Sequence, residues 1–482
     1  MCSKKRVNMA KQIVPDINKD FAEWYNWIVY EAKLADMAPV KGCMVIRPYG
    51  YALWENIKDI LDKKIKATGH QNAAFPLLIP ESFLKREADH VKGFSPELAV
   101  VTHAGGKQLE EPLVVRPTSE TIIHYMFARW LTSWRDLPLK INQWCSVVRW
   151  EMRTRPFLRT TEFWWQEGHT AHETEAEALE EVLMMLEEYR DLAENYLAIP
   201  VVTGPKSNSE KFAGADLTMT FEGLMPDGKA LQMGTSHAIS QNFARAFDMK
   251  FQDRNGGLAH PYLTSWGATT RLIGALVMTH GDQKGLILPP KVAPYQIFIV
   301  PIYKAGDQHV VRDAAIKLSE SLSVHFRIKI DIDEQTTPGT KFHQGELQGI
   351  PLRIEIGMRD IDNKSLMVAN RLTGQKTSCA IDNIIAFCGE ELDLFQNTLF
   401  ERAKQRRAQQ WFHANSLKEL SDNIVTKRGF YQISWCGSDT CEAQLKTAQA
   451  TIRCLLPDEK AVGPCFCCGT QGTTVALAAQ SY

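Results

Sequence analysis

Apolar and polar positions repeat along this chain with two different periods, and the changes of period mark its elements. Residues 50–69 carry apolar side chains at helical spacing and predict an amphipathic helix, followed at 73–80 by an extended Ala-Ala-Phe-Pro-Leu-Leu-Ile-Pro run. A second helix is predicted over 173–195, with Leu179, Val182, Leu183, Leu186 and Leu192 as its apolar stripe and an acidic solvated face. Between these helices the period drops to two. Arg149 and Glu151 share one strand face, and Arg159, Thr161, Phe163, Trp165, Glu167 and His169 share a face of the next strand, which Gly168 is expected to end. Residues 152–157, polar and interrupted by Pro156, read as the hairpin loop between them. Further on, small residues from Trp266 lead through Arg271 into an apolar helix. Breaks fall at 285–294, with Pro289, Pro290 and Pro294, and after about Phe400. Between the breaks, strands at 296–302, 324–332, 352–357 and 366–372 alternate with helices at 310–322 and 341–349, which predicts an α/β domain. Three segments result: 1–288, 289–400 and 401–482.

A strand face bearing two arginines, two glutamates and a histidine beside Phe163 and Trp165 is not an ordinary core face, because buried charges cost several kcal/mol unless paired or liganded. It is either an exposed ladder of ion pairs or a site for an anionic, aromatic ligand such as a nucleotide. Thr118 and Glu120 fit a helix start, Thr as N-cap and the acid in the first turn, and the same pair can serve a ligand. Cys436-x4-Cys441 and Cys465-x2-Cys468 supply two thiol pairs that can close a tetrahedral site for a structural Zn2+, since four thiolates leave no open position for substrate. Cys467 and the remoter Cys454 are alternative ligands, and reduced spectator thiols or a redox pair are the competing readings.

Composition narrows the picture less. With 482 residues, 44% of them apolar, and a net charge of −1, the chain holds several ordinary cores and lacks the blanket positive charge that attracts polyanions indiscriminately. Any grip on nucleic acid therefore rests on local patches, such as Arg153 and Arg155 in the hairpin loop or Arg402, Lys404, Arg406 and Arg407 on a helix, where a merely solvated face is the plainer reading. No apolar run approaches the roughly 18 residues of a membrane span, and the first eight residues, with Lys4, Lys5 and Arg6, lack an apolar export core; a cytoplasmic protein is expected. No Gly-rich phosphate loop or dinucleotide fingerprint is present.

The Arg-x-Glu, loop, Arg-x-x-x-Phe arrangement resembles motif 2 of class II aminoacyl-tRNA synthetases, residues 266–275 resemble motif 3, and 50–80 resemble motif 1, the usual dimer seam of that class. The resemblance implies ATP binding with Mg2+: Arg149 on the α-phosphate and the amino-acid carboxylate, Glu151 at the adenine amino group, Arg159 at the γ-phosphate, and Phe163 and Arg271 on the two faces of adenine, with Gln232 and Thr235 nearby. Residues 115–121 (Val-Arg-Pro-Thr-Ser-Glu-Thr), 165–169 (Trp-Gln-Glu-Gly-His), 211–216 (Lys-Phe-Ala-Gly-Ala-Asp) and 234–237 (Gly-Thr-Ser-His) are similar to prolyl-tRNA synthetases of the archaeal and eukaryotic-like type, over essentially the whole chain. That family places Thr118 and Glu120 on the secondary ammonium of L-proline, Arg149 on its carboxylate, and Trp165, Glu167, His169, Phe212, His237 and Ser265 around its ring; the histidines are expected to line the pocket and not to act as acid or base. The implied fold is an α+β catalytic domain on an antiparallel sheet, an α/β anticodon-binding domain and a small α/β zinc-binding C-terminal domain, in a homodimer acting on tRNA(Pro). Arg153 and Arg155 would face the acceptor end, while Lys341, Phe342, Glu346, Arg353 and Glu355 would lie where anticodon bases are read, core packing being the plainer role for Phe342. The terminal Tyr482 would fold back toward the catalytic domain. Fewer than a hundred residues separate His169 from Trp266, too few for a hydrolytic editing insertion. A ligase for threonine or histidine and a non-catalytic RNA-binding paralogue are the rival readings.

Overall fold

The computed structural model describes residues 14–88 and 98–482; the basic N-terminal residues Lys4, Lys5 and Arg6 lie outside them. The predicted first amphipathic helix is α1 (Pro48–Ala67), entered through Pro48 and burying Leu53, Trp54, Ile57, Leu61 and Ile65. Pro at the first turn suits a helix start, because its missing N–H has no intrahelical partner there anyway. The extended run that follows splits in two. β1 (Gln71–Asn72) joins the edge of the main sheet in parallel, whereas Leu78–Pro80 pairs into a separate three-stranded sheet.

The main sheet adds β2 (Leu139–Val148), β3 (Glu162–His172), β4 (Val201–Pro205), β5 (Leu217–Leu224), β6 (Ala230–Ser240) and β7 (Tyr262–Thr269), in the order β1-β2-β3-β7-β6-β5-β4, and every pair after the first is antiparallel. α2 (Glu120–Trp130) precedes β2, α3 (Glu175–Asp191) covers the back of the sheet, and α4 (Arg271–His280) follows β7. Two expectations fail here. Gly168 does not end its strand: β3 runs on to His172, and the glycine is needed because a Cβ at this position would sit 2.0 Å from the Trp266 indole packed across it. Arg149 and Glu151 lie just beyond β2, and Arg159 and Thr161 just before β3, so these four are placed by the connecting loop and not by strand alternation.

α3 begins with a capping box between Thr174 and Glu177, and its buried face keeps the expected Val182, Leu186 and Leu192 but is rotated away from Leu179 and Leu183. Ala178, Glu181, Val182, Met185, Leu186 and Tyr189 are buried, whereas Leu179 and Leu183 are exposed. Glu181 tolerates burial because His70 and Lys140 meet its two oxygens at 2.9 and 2.6 Å.

The second segment is the predicted α/β unit: β8 (Ile297–Pro301), β9 (Ile328–Ile330), β10 (Leu352–Ile356), β11 (Ser365–Asn370) and β12 (Lys376–Ala380), ordered β9-β8-β10-β11-β12, with α5 (Gln308–Ser323) and α6 (Pro338–Leu347) packed on it. The strand expected at 324–332 is only three residues long, because 324–326 are spent on the turn out of α5, His325 and Phe326 both donating to the Leu322 carbonyl. The break expected after Phe400 is absent: α7 (Ile384–Gln409) runs through it, and the chain changes sheet only at β13 (Trp411–His413). The last sheet is completed by β14 (Phe430–Trp435), β15 (Thr451–Leu455) and β16 (Thr474–Ala479), in the order β13-β14-β16-β15. Half of the basic cluster on α7 is committed to packing, Arg406 donating to the Thr279 carbonyl and Arg407 to the Val201 carbonyl, which leaves Arg402 and Lys404 exposed. Among the described residues no helix is long and apolar enough to cross a membrane.

Candidate active site and the four-cysteine cluster

Register builds the site. Across the open face of the main sheet, His169 of β3 stands opposite Ser265 of β7, which stands opposite His237 of β6, which stands opposite Thr218 of β5. One row along, Gln143, Glu167, Gly267, Thr235 and Thr220 form the parallel rank. Because alternate residues share a face, Trp165, Glu167 and His169 all project to this side, and the rows floor a cavity of about 450 Å3. That volume suits a small ligand joined to a nucleotide.

All the residues expected to meet proline or ATP line this one cavity: Thr118, Glu120, Arg149, Glu151, Arg159, Phe163, Trp165, Glu167, His169, Phe212, Gln232, Thr235, His237, Ser265 and Arg271. Lys206, Glu210 and Thr218 line it as well and were not foreseen. Thr218 enters through register, holding His237 Nδ1 at 3.0 Å from the neighbouring strand, and Lys206 and Glu210 lie where β4 ends; no local pattern marks any of the three.

Thr118 does not cap α2. Ser119 occupies the N-cap position without a side-chain cap bond, because its hydroxyl donates to Glu167 Oε1 at 2.5 Å; the Thr118 hydroxyl donates to Glu120. Glu167 also accepts from Gln143 Nε2 at 2.8 Å and meets His169 Nε2 at 3.2 Å. Burial pushes its carboxyl up, but His169, Ser119 and Gln143 outweigh that and hold it below the usual carboxylate range. Burial pushes His169 down, and the carboxylates of Glu167 and Glu120 more than reverse it. His237 is driven to about 3 by burial and by His169. It is therefore neutral at physiological pH and bridges Thr218 and Thr235.

Arg149 donates from Nε to the Pro117 carbonyl at 3.0 Å, and its guanidinium lies 5.5 Å from the ring centres of both Phe163 and Trp165. Burial lowers its pKa, and Glu120 and Glu167 counter it. Arg271 donates to the carbonyls of Leu158 and Gln232 at 3.2 and 3.0 Å and is lowered to about 10 by burial and by the repulsion of Arg149 and Arg159. Arg149 and Arg159 thus both repel Arg271 within one cavity, a local crowding of guanidiniums that a polyphosphate relieves. Arg159 is ion-paired directly, with Glu151 at 3.4 Å, whereas Glu120 and Glu167 act on Arg149 without a direct ion pair among the described residues. Of the loop cations, Arg153 is exposed, whereas Arg155 is stacked 5.5 Å from the ring of Tyr482, whose backbone N–H donates to the Ala230 carbonyl. The chain end thus returns to the catalytic sheet as expected.

The anticodon-type candidates divide. Arg353 lies 3.9 Å from the Phe342 ring centre and pairs with Glu355 at 2.9 Å and Glu346 at 3.5 Å, and Glu346 and Arg353 line a second cavity of about 150 Å3. Lys341 is turned inward instead: it is buried, and its ammonium holds the carbonyls of Asp331 and Asp333, so it is not free to meet a base. Phe342 is half-buried.

The sulfurs of Cys436, Cys441, Cys465 and Cys468 all lie within 4.8 Å of one another, with Cys436 at 3.7 Å from Cys441 and 3.8 Å from Cys468. A tetrahedral zinc thiolate with bonds of about 2.3 Å has edges of about 3.8 Å, so the residues fit that ion. Cys467 is not a member of the cluster, and Cys454 is buried in β15, away from it.

Buried neutral histidines predict acid lability. His237 and His280 are held at about 3, His172 at about 4 and His124 well below its ordinary value, in each case first by burial. In the unfolded chain all four protonate near pH 6.5, so below that pH the unfolded state binds more protons and stability falls by up to about 1.4 kcal/mol per pH unit for each. Over the same window His169, whose folded value is raised, is protonated in both states and adds no slope. The melting temperature is expected to drop by roughly 10 °C or more from pH 7 to pH 5, and His280→Gln, which keeps a donor for the Leu197 carbonyl, should flatten the slope; a pH-independent melting curve contradicts the prediction.

The sequence matches three family models: the class II tRNA synthetase core domain of the G, H, P, S and T group over residues 102–280, an anticodon-binding domain over 296–391, and the prolyl-tRNA synthetase C-terminal domain over 417–482. A proline–tRNA ligase of Alkaliphilus oremlandii is 50% identical over 482 residues, covering 100% of both chains, and proline–tRNA ligase 2 of Clostridioides difficile is 50% identical over 478 residues, covering 98% of this chain and 99% of that one. A crystal structure of prolyl-tRNA synthetase from Cryptosporidium parvum, complexed with halofuginone and AMPPNP, superposes with a TM-score of 0.91 at 40% identity, over 98% of this chain and 99% of that one. With the fold, the cavity and full-length similarity in agreement, the chain belongs to the prolyl-tRNA synthetases, class II enzymes that ligate proline to its tRNA.

Proposed function

We propose that ligation proceeds in two steps within the 450 Å3 cavity. Proline carboxylate attacks the α-phosphorus of ATP, giving prolyl adenylate and pyrophosphate; the terminal ribose hydroxyl of tRNA(Pro) then attacks the adenylate carbonyl and releases AMP. The observation that carries this reading is the gathering of Arg149, Arg159 and Arg271 around the same space as the Thr118–Glu120 and Glu167–His169 pairs. Both reactants of the first step are anionic, so Arg149 offsets their repulsion and the charge growing on the phosphorane oxygens, and Arg159 and Arg271 hold the remainder of the nucleotide. Glu151 and Gln232 would hold Mg2+ or its waters on the triphosphate, where the ion would share the offsetting of phosphate charge. Glu120 and Thr118 receive the imino nitrogen, while Trp165, Phe212 and His237 wall the ring methylenes. No protein nucleophile is needed, since the second step asks chiefly for alignment.

Proline-dependent exchange of labelled pyrophosphate into ATP, followed by charging of tRNA(Pro), tests the scheme; exchange driven by threonine or histidine and not by proline overturns it. Glu120→Gln removes one charge-assisted hydrogen bond, worth about 1.5–3 kcal/mol, so the KM for proline should rise roughly 10- to 100-fold while the KM for ATP stays within about twofold. An equal rise in both would remove Glu120 from the amino-acid side. The 173–261 stretch is spent on α3 and on β4 to β6, which supports the absence of an editing insertion. A proline pocket excludes alanine and cysteine only weakly, because a lost methylene forfeits ~1–3 kcal/mol, so measurable exchange with both is expected, and none with either contradicts it.

The reading extends to a structural zinc at the four cysteines and to a homodimer in the cytoplasm. Supporting the dimer, Met37, Val45, Tyr51, Leu77 and Leu78 are large apolar residues left exposed on and beside the motif 1 elements.

A further inference from the structure

The loop of residues 206–216, between β4 and β5, carries Lys206, Glu210 and Phe212 on the cavity wall, with the Phe212 ring 4.8 Å from that of His237. Its packing is not supplied by the catalytic domain alone. At its start, Gly204 of β4 lies so close to β15 that a Cβ there would stand 2.2 Å from the Leu455 carbonyl oxygen. Beside it, Glu222 of β5, fully buried, accepts from Lys206 at 2.9 Å and from Arg453 of β15 at 3.0 and 3.1 Å. One residue on, the buried Ser207 hydroxyl donates to Glu442 Oε1 at 2.6 Å. Glu442 directly follows Cys441 in the short helix Asp439–Ala443, inside the four-cysteine cluster.

A buried ion pair lacking one partner costs about 3–5 kcal/mol, so the Arg453–Glu222–Lys206 cluster ties β15 firmly to β5. The Ser207–Glu442 bond then adds a second, separate tether, from the cavity loop to the peptide that holds a thiol ligand. Without the C-terminal domain in place the loop would keep its catalytic-domain contacts, Lys206 on Glu222, the Phe212 N–H on the Thr218 hydroxyl and Asn242 on the Gly214 carbonyl, but would lose the Ser207–Glu442 bond and the Arg453 brace on Glu222.

We propose that Glu442 and Ser207 are positioning residues for proline binding, through which the metal-ordered C-terminal domain holds the Phe212 wall of the amino-acid pocket; the proposal rests on assigning that pocket to proline. Neither residue touches the reacting atoms. The coupling acts on the fit of the amino acid and leaves the three arginines of the nucleotide site where they are.

The test compares Ser207→Ala, Glu442→Ala, the double variant and Glu442→Gln in the full-length, zinc-loaded enzyme. The singles and the double should raise the KM for proline by the same roughly fivefold factor, with kcat and the KM for ATP within about twofold and zinc content unchanged; Glu442→Gln, which keeps an acceptor for Ser207, should recover most of the loss. Multiplicative effects, an unchanged KM for proline, or an equal rise in the KM for ATP each overturn the proposal. Should Glu442→Ala fail to fold, Ser207→Ala alone decides the kinetic question. Independently of activity, amide hydrogen exchange of 206–216 should quicken in Ser207→Ala and in chelator-treated wild type, with 297–301 unaffected as an internal reference; quickening confined to 417–482 overturns the coupling. An inactive wild type would instead remove the ligase mechanism itself, so the two failures are distinguishable.

Discussion

Arg149→Ala lowers proline-dependent pyrophosphate exchange by about 10³-fold or more, the largest kinetic effect expected of any single substitution in this chain. Removing one preorganised donor from a developing anion usually costs 10²–10³ in rate, and Arg149 has a second duty. Its guanidinium is the buried cation beside Glu120 and Glu167, and the Pro117 carbonyl and the rings of Phe163 and Trp165 hold it in place. Truncation therefore removes the cation proposed to face the α-phosphate and leaves two carboxylates to repel the incoming carboxylate of proline. Arg149→Lys should recover little, because a single ammonium cannot span two oxyanions as a planar fork does. The measurement is steady-state exchange together with melting temperature and zinc content, the last two expected to stay near wild type. A variant within tenfold of wild type would displace Arg149 from the centre of the chemistry.

Replacing Cys441 by Ser, or removing the metal with a chelator, has the largest expected effect on stability. A structural zinc site contributes on the order of 10 kcal/mol to the folding of the unit it closes, and the C-terminal core packs Cys441 and Cys465 against Tyr431, Ile433 and Leu445. Loss of the ion should release about one equivalent of zinc, abolish a separate melting transition of the last segment, and lower tRNA charging. Cys467→Ser and Cys454→Ser should each retain the full metal content, because neither sulfur belongs to the cluster. Retention of zinc by Cys441→Ser together with its loss from Cys467→Ser would reassign the ligand set.

Much of this architecture was legible in the residue order, where local periodicity carried it. α1, the β7-to-α4 turn at Arg271 and the α/β alternation of the second segment all follow from helical or twofold spacing and came out close to expectation. Errors arose where a distant neighbour decides. Gly168 looks like a strand end until Trp266 is seen lying on it. Leu179 and Leu183 fit a helical stripe as well as Met185 and Tyr189 do, and only the position of the sheet behind α3 chooses between the two faces. No proline or glycine near Phe400 could have shown that one helix bridges two domains. Lys341 reads as a free cation in sequence and is a buried clasp for the 331–333 turn in the fold.

Sequence alone determined the chemistry on offer: which arginines, carboxylates, aromatic rings and thiols exist, and at what spacing, which sufficed to name a family and a reaction. Tertiary structure decided how they combine. Register across four antiparallel strands set His169, Ser265, His237 and Thr218 in one row, and the return of the C-terminal domain put Glu442 on Ser207, 235 residues away. The physical reason is one of range: backbone preferences act over a few residues, whereas a buried charge or a packed ring is settled by whatever the whole fold brings against it.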